Sequence, residues 1–278
     1  MPELPEVQAH AERLTEAFGG AVLERFLPLS FVALKTAVPR PEDAYGTALD
    51  EVGRRGKYLL ARFGPQTFVV HLMQGGRLRR DEKQSAKPRF GVARWRFEDG
   101  RAWLLTEPGT ERKAGVWVMA GDPTTQPPLD KLGPEADQLD EAALAERLTT
   151  NPMRLHGFLR DQHAVAGLGR RLANEICWEA QLSPFAATAK LKGDQVGALH
   201  AAVQSCVAAG LEDERSRDDM VASAERAGSV HGRSGQACAR CGDELRSVEY
   251  RSYTVTYCPT CQTGGKVLAD NTTSRFLR

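Results

Sequence analysis

The chain has 278 residues, a formal net charge of +1 and an apolar share of 41%, which accommodates two domains with ordinary globular cores and a small third module. No apolar run approaches the ~18–20 residues that span a bilayer, and no basic region followed by an apolar core opens the chain, so a cytoplasmic protein without membrane contact is expected. The near-neutral balance gives no global sign of a polyanion partner.

Met1-Pro2-Glu3-Leu4-Pro5-Glu6 opens the chain and has two readings. Proline suits the first helical position and acids suit the positive end of the helix dipole, which makes this a helix start. Alternatively, removal of Met1 exposes a secondary amine. An α-amino group has a pKa of about 8, so a useful fraction is neutral near neutral pH and attacks electrophilic carbon to form an iminium. Glu3 and Glu6 lie within one helical turn of that amine. From these six residues alone the helix start carries more weight.

Val7, Ala11, Leu14 and Phe18 recur at helical spacing until Gly19-Gly20. Short strands are then expected over Val22–Leu29, Tyr58–Phe63, Thr67–Leu72, Val92–Phe97, Ala102–Leu105 and Val116–Met119, separated by Gly/Pro turns. One helix followed by a β-sandwich or barrel is the expectation for the first part of the chain. Lys57, in Arg54-Arg55-Gly56-Lys57-Tyr58, sits where a turn enters a strand. By itself it is an ordinary surface lysine; a role in phosphate binding or proton transfer is the other reading. Between Val52 and Arg101 there are 13 basic residues and 4 acids. That excess is either a polyanion footprint or a solvated surface balanced elsewhere in the chain.

Gly121 through Pro128 is linker-like. Asp140 is placed as the N-cap of a helix through Leu148. Val196, Leu199, Val203, Val207 and Leu211 mark a longer amphipathic helix. Between them, Gly167-Leu168-Gly169 opens a further helix, as a plain turn or as a phosphate seat at the helix N-terminus. Residues 213–227 are charged and small and are read as a loop. Of six cysteines, Cys177 and Cys206 fall in helical segments and are read as buried apolar residues. Cys238-Ala239-Arg240-Cys241 and Cys258-Pro259-Thr260-Cys261 form two C-x2-C knuckles separated by 16 residues. Together they supply four thiolates for one structural Zn2+ with no open position for substrate. His71, His156 and His231 lack ligand spacing and are read as structural or as DNA contacts.

These motifs, in this order, resemble the Fpg/Nei family of DNA glycosylases across essentially the whole chain. Met1-Pro2-Glu3-Leu4-Pro5-Glu6-Val7 resembles the family's opening, and Arg55-Gly56-Lys57-Tyr58-Leu59 its lysine loop. Leu159-Arg160-Asp161-Gln162 through Gly167-Leu168-Gly169 and Glu175 resembles its helix–two-turn–helix motif. His231-Gly232-Arg233 with the four cysteines resembles its zinc finger. The resemblance implies an α+β fold in three parts: a catalytic β-sandwich with a leading helix over residues 1–121, a helix–two-turn–helix DNA-binding domain over 129–227, and a zinc finger with tail over 228–278. It implies a monomer that binds double-stranded DNA containing damaged or abasic nucleotides in a cleft and flips the target out of the stack.

The implied activity is excision of damaged, chiefly oxidised, bases followed by β-elimination at the abasic site. Pro2 would be the nucleophile, Glu3 the general acid/base, Glu6 its support, and Lys57 a phosphate contact and proton-transfer group. Implied DNA contacts are Arg55, Gln74, Arg112, His156, Gly169, Arg170, Arg251 and Tyr253, and the implied zinc ligands are Cys238, Cys241, Cys258 and Cys261. Several of the contact positions depart from the family pattern. Tyr253 stands where the family places the finger arginine that aids δ-elimination, with Arg251 nearby, so δ-elimination stays open. Arg170 replaces an asparagine, His156 a lysine and Gln74 a methionine, and the loop from Glu107 to Lys113 does not match the family's gap-filling loop. Two other readings therefore stand beside a standard enzyme for oxidised bases: a glycosylase for bulky or crosslinked lesions, and a non-catalytic sensor of damaged DNA.

Overall fold

Helix α1, Leu4–Phe18, starts as its first residues dictate: Pro5 lies in the first turn, and the Glu6 carboxylate reaches back to accept from the Glu3 backbone N–H at 2.9 Å. Leu4, Val7, Ala11, Leu14 and Phe18 are buried along one face, and Gly19 ends the helix. The structure is a computed structural model that describes residues 1–109, 113–220 and 226–268. It divides into two compact units: Met1–Lys131 with Glu214–Met220, and Leu132–Asp213 with the described residues after Met220.

In unit 1, α1 is followed by β1 (Leu23–Pro28), β2 (Glu51–Arg55), β3 (Tyr58–Phe63), β4 (Gln66–His71), β5 (Arg77–Arg80), β6 (Gly91–Phe97), β7 (Ala102–Thr106) and β8 (Gly115–Ala120). They form two antiparallel four-stranded sheets, ordered β1-β6-β7-β5 and β2-β3-β4-β8. Aromatic rings from both sheets meet in the core. Phe26 lies 5.5 Å from Phe68, Phe68 lies 6.0 Å from Trp95, and Phe63 lies 6.4 Å from Phe97.

Six strands coincide with the expected segments to within a residue or two. The other two, β2 and β5, gave no apolar signal because each carries a single apolar residue, whereas β1 and β8, equally edges, carry several. Glu51–Arg55 buries Val52 and Arg77–Arg80 buries Leu78, and the rest is arginine, glutamate and glycine. Charged side chains on edges discourage pairing with other chains.

In unit 2, α2 (Glu141–Thr150) is capped by Asp140, whose Oδ1 accepts from Ala143 N at 2.7 Å. Helices α3 (Leu155–Arg160) and α4 (Arg170–Glu179) are joined by two turns that Gln162 ties together. Its amide donates to Leu168 O at 2.8 Å and accepts from Gly167 N at 3.0 Å. Gly167 has φ +97°, which favours glycine there. Helix α5, Gly193–Arg215, buries Val196, Leu199, Val203 and Val207. A hairpin of β9 (Arg246–Tyr250) and β10 (Tyr253–Tyr257) and a short α6 (Pro259–Thr263) complete the Cys-rich module. Cys177 is buried and Cys206 half-buried, and burial raises both thiols. Among the described residues, no helix is long and apolar enough to cross a membrane.

Candidate functional site

The first turn of α1 concentrates charge. Pro2 is buried, Glu3 is 3% exposed and Glu6 fully buried. Met1 precedes Pro2, so the Pro2 nitrogen is an amide until Met1 is removed. Met1's own amine has its pKa lowered, first by burial and then by Arg77 and Lys57, with Glu3 and Glu6 opposing. Two carboxylates and two cations thus act on one terminal amine, in surroundings that favour its neutral, nucleophilic form.

Lys57 is 8% exposed, in a two-residue loop between β2 and β3, where Arg55 pairs with Tyr58. Gly56 takes φ +55° at the first loop position, as a type II′ hairpin requires. The hairpin therefore fixes the lysine that sequence alone left as an ordinary surface residue. Arg55 beside it is half-buried. Arg77, at the start of β5, was visible in the sequence only as one more basic residue. Its influence on the terminal amine follows from sheet pairing. His71, at the end of β4, is pushed down to about 4 by burial, with Lys57 adding.

Gln74 is exposed in the loop between β4 and β5. The loop is closed by Gly76 N donating to Leu72 O at 2.8 Å, and a Cβ on Gly76 would meet that oxygen at 2.1 Å. Met73 beside it has φ +54°, donates its backbone N–H to His71 Nδ1 at 3.2 Å and packs on the core. Gln74, not Met73, is thus the residue presented to solvent. Glu107 is buried and its Oε2 accepts from Ala114 N at 2.7 Å, closing the base of the next loop. Arg112, expected in that loop as a DNA contact, lies outside the described residues.

Unit 2 holds two groupings. The four Sγ atoms of Cys238, Cys241, Cys258 and Cys261 lie within 4.8 Å of one another. Cys238 and Cys261 are 4.0 Å apart, and Cys241 and Cys258 are 3.4 Å apart. A disulfide needs about 2.05 Å, whereas four thiolates around one Zn2+ at ~2.3 Å stand about 3.8 Å apart. The donor set and spacing fit such an ion. Trp178 Nε1 donates to Cys238 Sγ at 3.3 Å. The Glu175 carboxylate accepts the backbone N–H groups of Ser229, Val230 and His231 at 2.8, 3.1 and 2.8 Å, fixing the entry to the module.

The second grouping surrounds Tyr253. His156 is 3% exposed and stacks on the Tyr253 ring at 5.8 Å and 11°. Tyr250 stacks at 4.6 Å, and the guanidinium carbons of Arg160 and Arg170 lie 3.8 and 5.9 Å from the ring centre. Gly169 is the N-cap of α4. Burial pushes His156 down to about 3, with Arg160 and His231 adding and Asn174 and the Arg170 backbone opposing. His156, Gly169, Arg170 and Tyr253 are therefore brought together. Arg251 is exposed in the turn between β9 and β10. Arg160 carries no signal of its own in the sequence, because its surroundings come from a tyrosine far along the chain.

The basic stretch from Val52 to Arg101 is in good part balanced within unit 1. Arg94 pairs with Asp81 in a buried bridge of 2.7 Å, Arg79 with Asp219 at 2.8 Å, Arg62 with Asp50 and Glu51, Arg96 with Glu24, and Arg101 with Asp99. The candidate footprint is correspondingly smaller than the sequence count.

Comparison with known proteins matches residues 1–117 to the formamidopyrimidine-DNA glycosylase N-terminal domain and residues 132–220 to the H2TH domain of the same proteins. A formamidopyrimidine-DNA glycosylase of Thiobacillus denitrificans is 31% identical over 94% of this chain and all of its own length. An uncharacterized formamidopyrimidine-DNA glycosylase-like protein of Mycobacterium tuberculosis is 38% identical over 58% of this chain and all of its own. The fold is similar to that of the Lactococcus lactis Fpg in complex with abasic-site DNA, with a TM-score of 0.81, 21% identity and coverage of 94% and 99% of the two chains.

Proposed function

The chain belongs to the formamidopyrimidine-DNA glycosylase family, and on that footing we propose that it excises damaged bases from double-stranded DNA with the amine of Pro2 as nucleophile. The observation that carries this reading is the first turn of α1: two buried carboxylates, the buried Lys57 and the half-buried Arg77 act on a terminal amine whose pKa is lowered. Removal of Met1 transfers the free amine to Pro2.

The neutral amine attacks C1′ of the damaged nucleotide. The N-glycosidic bond breaks, its electron pair leaves with the base, and the base is protonated. The sugar ring then opens with proton transfer to its ring oxygen, leaving an iminium between Pro2 and C1′. Glu3 supplies and recovers these protons, and Glu6 holds the turn that presents Glu3. The iminium acidifies the C2′ protons. Loss of one and departure of the 3′ phosphate constitute β-elimination, and water releases the amine. Lys57 contributes a positive charge for phosphate. Zn2+ bound by Cys238, Cys241, Cys258 and Cys261 supplies fold and no chemistry, since four thiolates close its coordination.

Borohydride trapping tests the scheme. Mass-verified chain lacking Met1 is expected to form a covalent adduct with an abasic-site duplex, and chain retaining Met1 is expected to form none through Pro2. Absence of an adduct, or an adduct that persists in Pro2→Gly and Glu3→Gln alike, refutes it. Tight binding of the damaged duplex with neither adduct nor strand scission moves the protein to the non-catalytic reading.

A further inference from the structure

Among the described residues of unit 2, Arg240 and Arg160 each lie within 4 Å of an aromatic ring centre, and they differ in what their edges touch. Arg240 lies 3.9 Å over Trp178, and its N–H groups are engaged by Trp178 O at 2.8 Å and Glu179 Oε2 at 3.1 Å. Arg160 lies 3.8 Å over Tyr253, and among the described residues its guanidinium has neither an ion-pair partner nor a hydrogen-bond acceptor; the same holds for Arg170. Stacking occupies the face of a guanidinium and leaves its in-plane N–H donors available for a bidentate acceptor.

Two further observations point to an anion. Helix α4 has ten residues and Gly169 as its N-cap, so Arg170 stands in its first turn, where backbone N–H groups lack helical acceptors. The ring of His156 is 3% exposed, and its Nε2 has no hydrogen-bond partner. Planar donors without acceptors, a helix start and an orphaned buried ring nitrogen share one locality. That donor set suits a phosphodiester oxygen pair.

We propose that Arg160 is the residue with which this chain grips a backbone phosphate of bound DNA, and that Tyr253 is the positioning residue that holds the guanidinium by its face. The inference rests on the reading of the protein as one that acts on DNA, and adds to it which side chain does the gripping. A tyrosine in the finger hairpin thus recruits its arginine from the end of α3.

The test uses full-length, zinc-loaded chain and a duplex carrying a tetrahydrofuran abasic analogue, with fluorescence anisotropy over a salt series. Arg160→Ala is expected to weaken binding roughly 10- to 100-fold and to reduce the slope of log K against log salt by about one phosphate contact. Arg160→Lys keeps the slope and loses part of the affinity. Tyr253→Phe, which keeps the ring, retains more affinity than Tyr253→Ala, and Tyr253→Ala adds little to Arg160→Ala in the double variant. Should Arg160→Ala lose its zinc or its thermal transition, Arg160→Gln carries the same test. An unchanged slope in the folded neutral variant, or full additivity with Tyr253→Ala, overturns the proposal. If wild-type protein binds no duplex at all, the functional reading itself fails, an outcome distinct from wild-type binding that Arg160→Ala leaves intact.

Discussion

Around the N-terminus, carboxylates exposed by 3% and 0% share their surroundings with Lys57 and Arg77, whereas around Tyr253 two arginines gather with no carboxylate bound to either among the described residues. In the first region burial, helped by Arg77 and Lys57 and opposed by Glu3 and Glu6, lowers the pKa of the terminal amine. In the second, positive charge has no carboxylate partner among the described residues, and on the proposed reading the phosphate of bound DNA balances it. On that reading, one region reacts and the other holds.

The division is tested first by removing metal. Apparent binding energies of structural zinc sites reach ~10–16 kcal/mol, so a strong chelator is expected to unfold the Cys module and abolish DNA affinity. Near-UV circular dichroism from Trp95 and Trp103 in unit 1 should persist. Its collapse together with the module would show that the two regions are not separable.

A smaller effect is expected from Glu3→Gln. Single-turnover release of a damaged base should slow by about 10²- to 10⁴-fold, the usual worth of a general acid/base, with duplex affinity within about threefold of wild type. Parallel losses of rate and affinity would merge the reacting and holding roles.

Acid acts on unit 1 through His10, which is held down to about 4 chiefly by burial, with its Nε2 2.7 Å from Leu78 O. The unfolded chain takes up this proton near pH 6.5 and the folded one only near 4. The neutral ring's contribution is therefore complete above about 6.5, declines as pH falls, and is lost below about 4. The total is roughly 3 kcal/mol. Urea midpoints across that window should drop, and less steeply in His10→Asn. Identical slopes would remove His10 as the cause.

The smallest effect is that of Asp140→Ala, which removes the cap of α2 at a cost of about 1 kcal/mol without changing the trapping of abasic DNA. An effect on trapping would show that the helical unit takes part in the chemistry.

What the sequence made legible was short-range. Each cysteine knuckle is complete within four residues and α1 declares itself by spacing, whereas Pro2, Glu3 and Lys57 taken singly read as a helix start and a surface lysine. Signals that depend on distant partners were silent. Arg160 is unremarked until Tyr253 stands against it, and Arg77 until β5 pairs with β7. The basic stretch misled for the same reason: Glu24, Asp50, Glu51 and Asp219, which neutralise part of it, lie outside the window in which the charges were counted. Strands β2 and β5 escaped because each has one apolar residue among charges and glycine, while the equally peripheral β1 and β8 are apolar enough to read.

The short segment Glu214–Met220 closes unit 1 from far along the chain. Arg13 donates to Glu214 O and Arg217 O at 2.8 and 3.3 Å, Arg215 clasps Glu12 at 2.8 and 2.6 Å, and Met220 enters the aromatic core. During synthesis the sandwich strands leave the ribosome first, but this seam cannot form until about residue 220 has emerged. Throughout that interval the face of α1 bearing Glu12 and Arg13 waits for its covering and the core place of Met220 stays unfilled, so an early truncation is expected to fail. A fragment ending at Lys131 would carry all eight strands of unit 1 and still be missing its last piece.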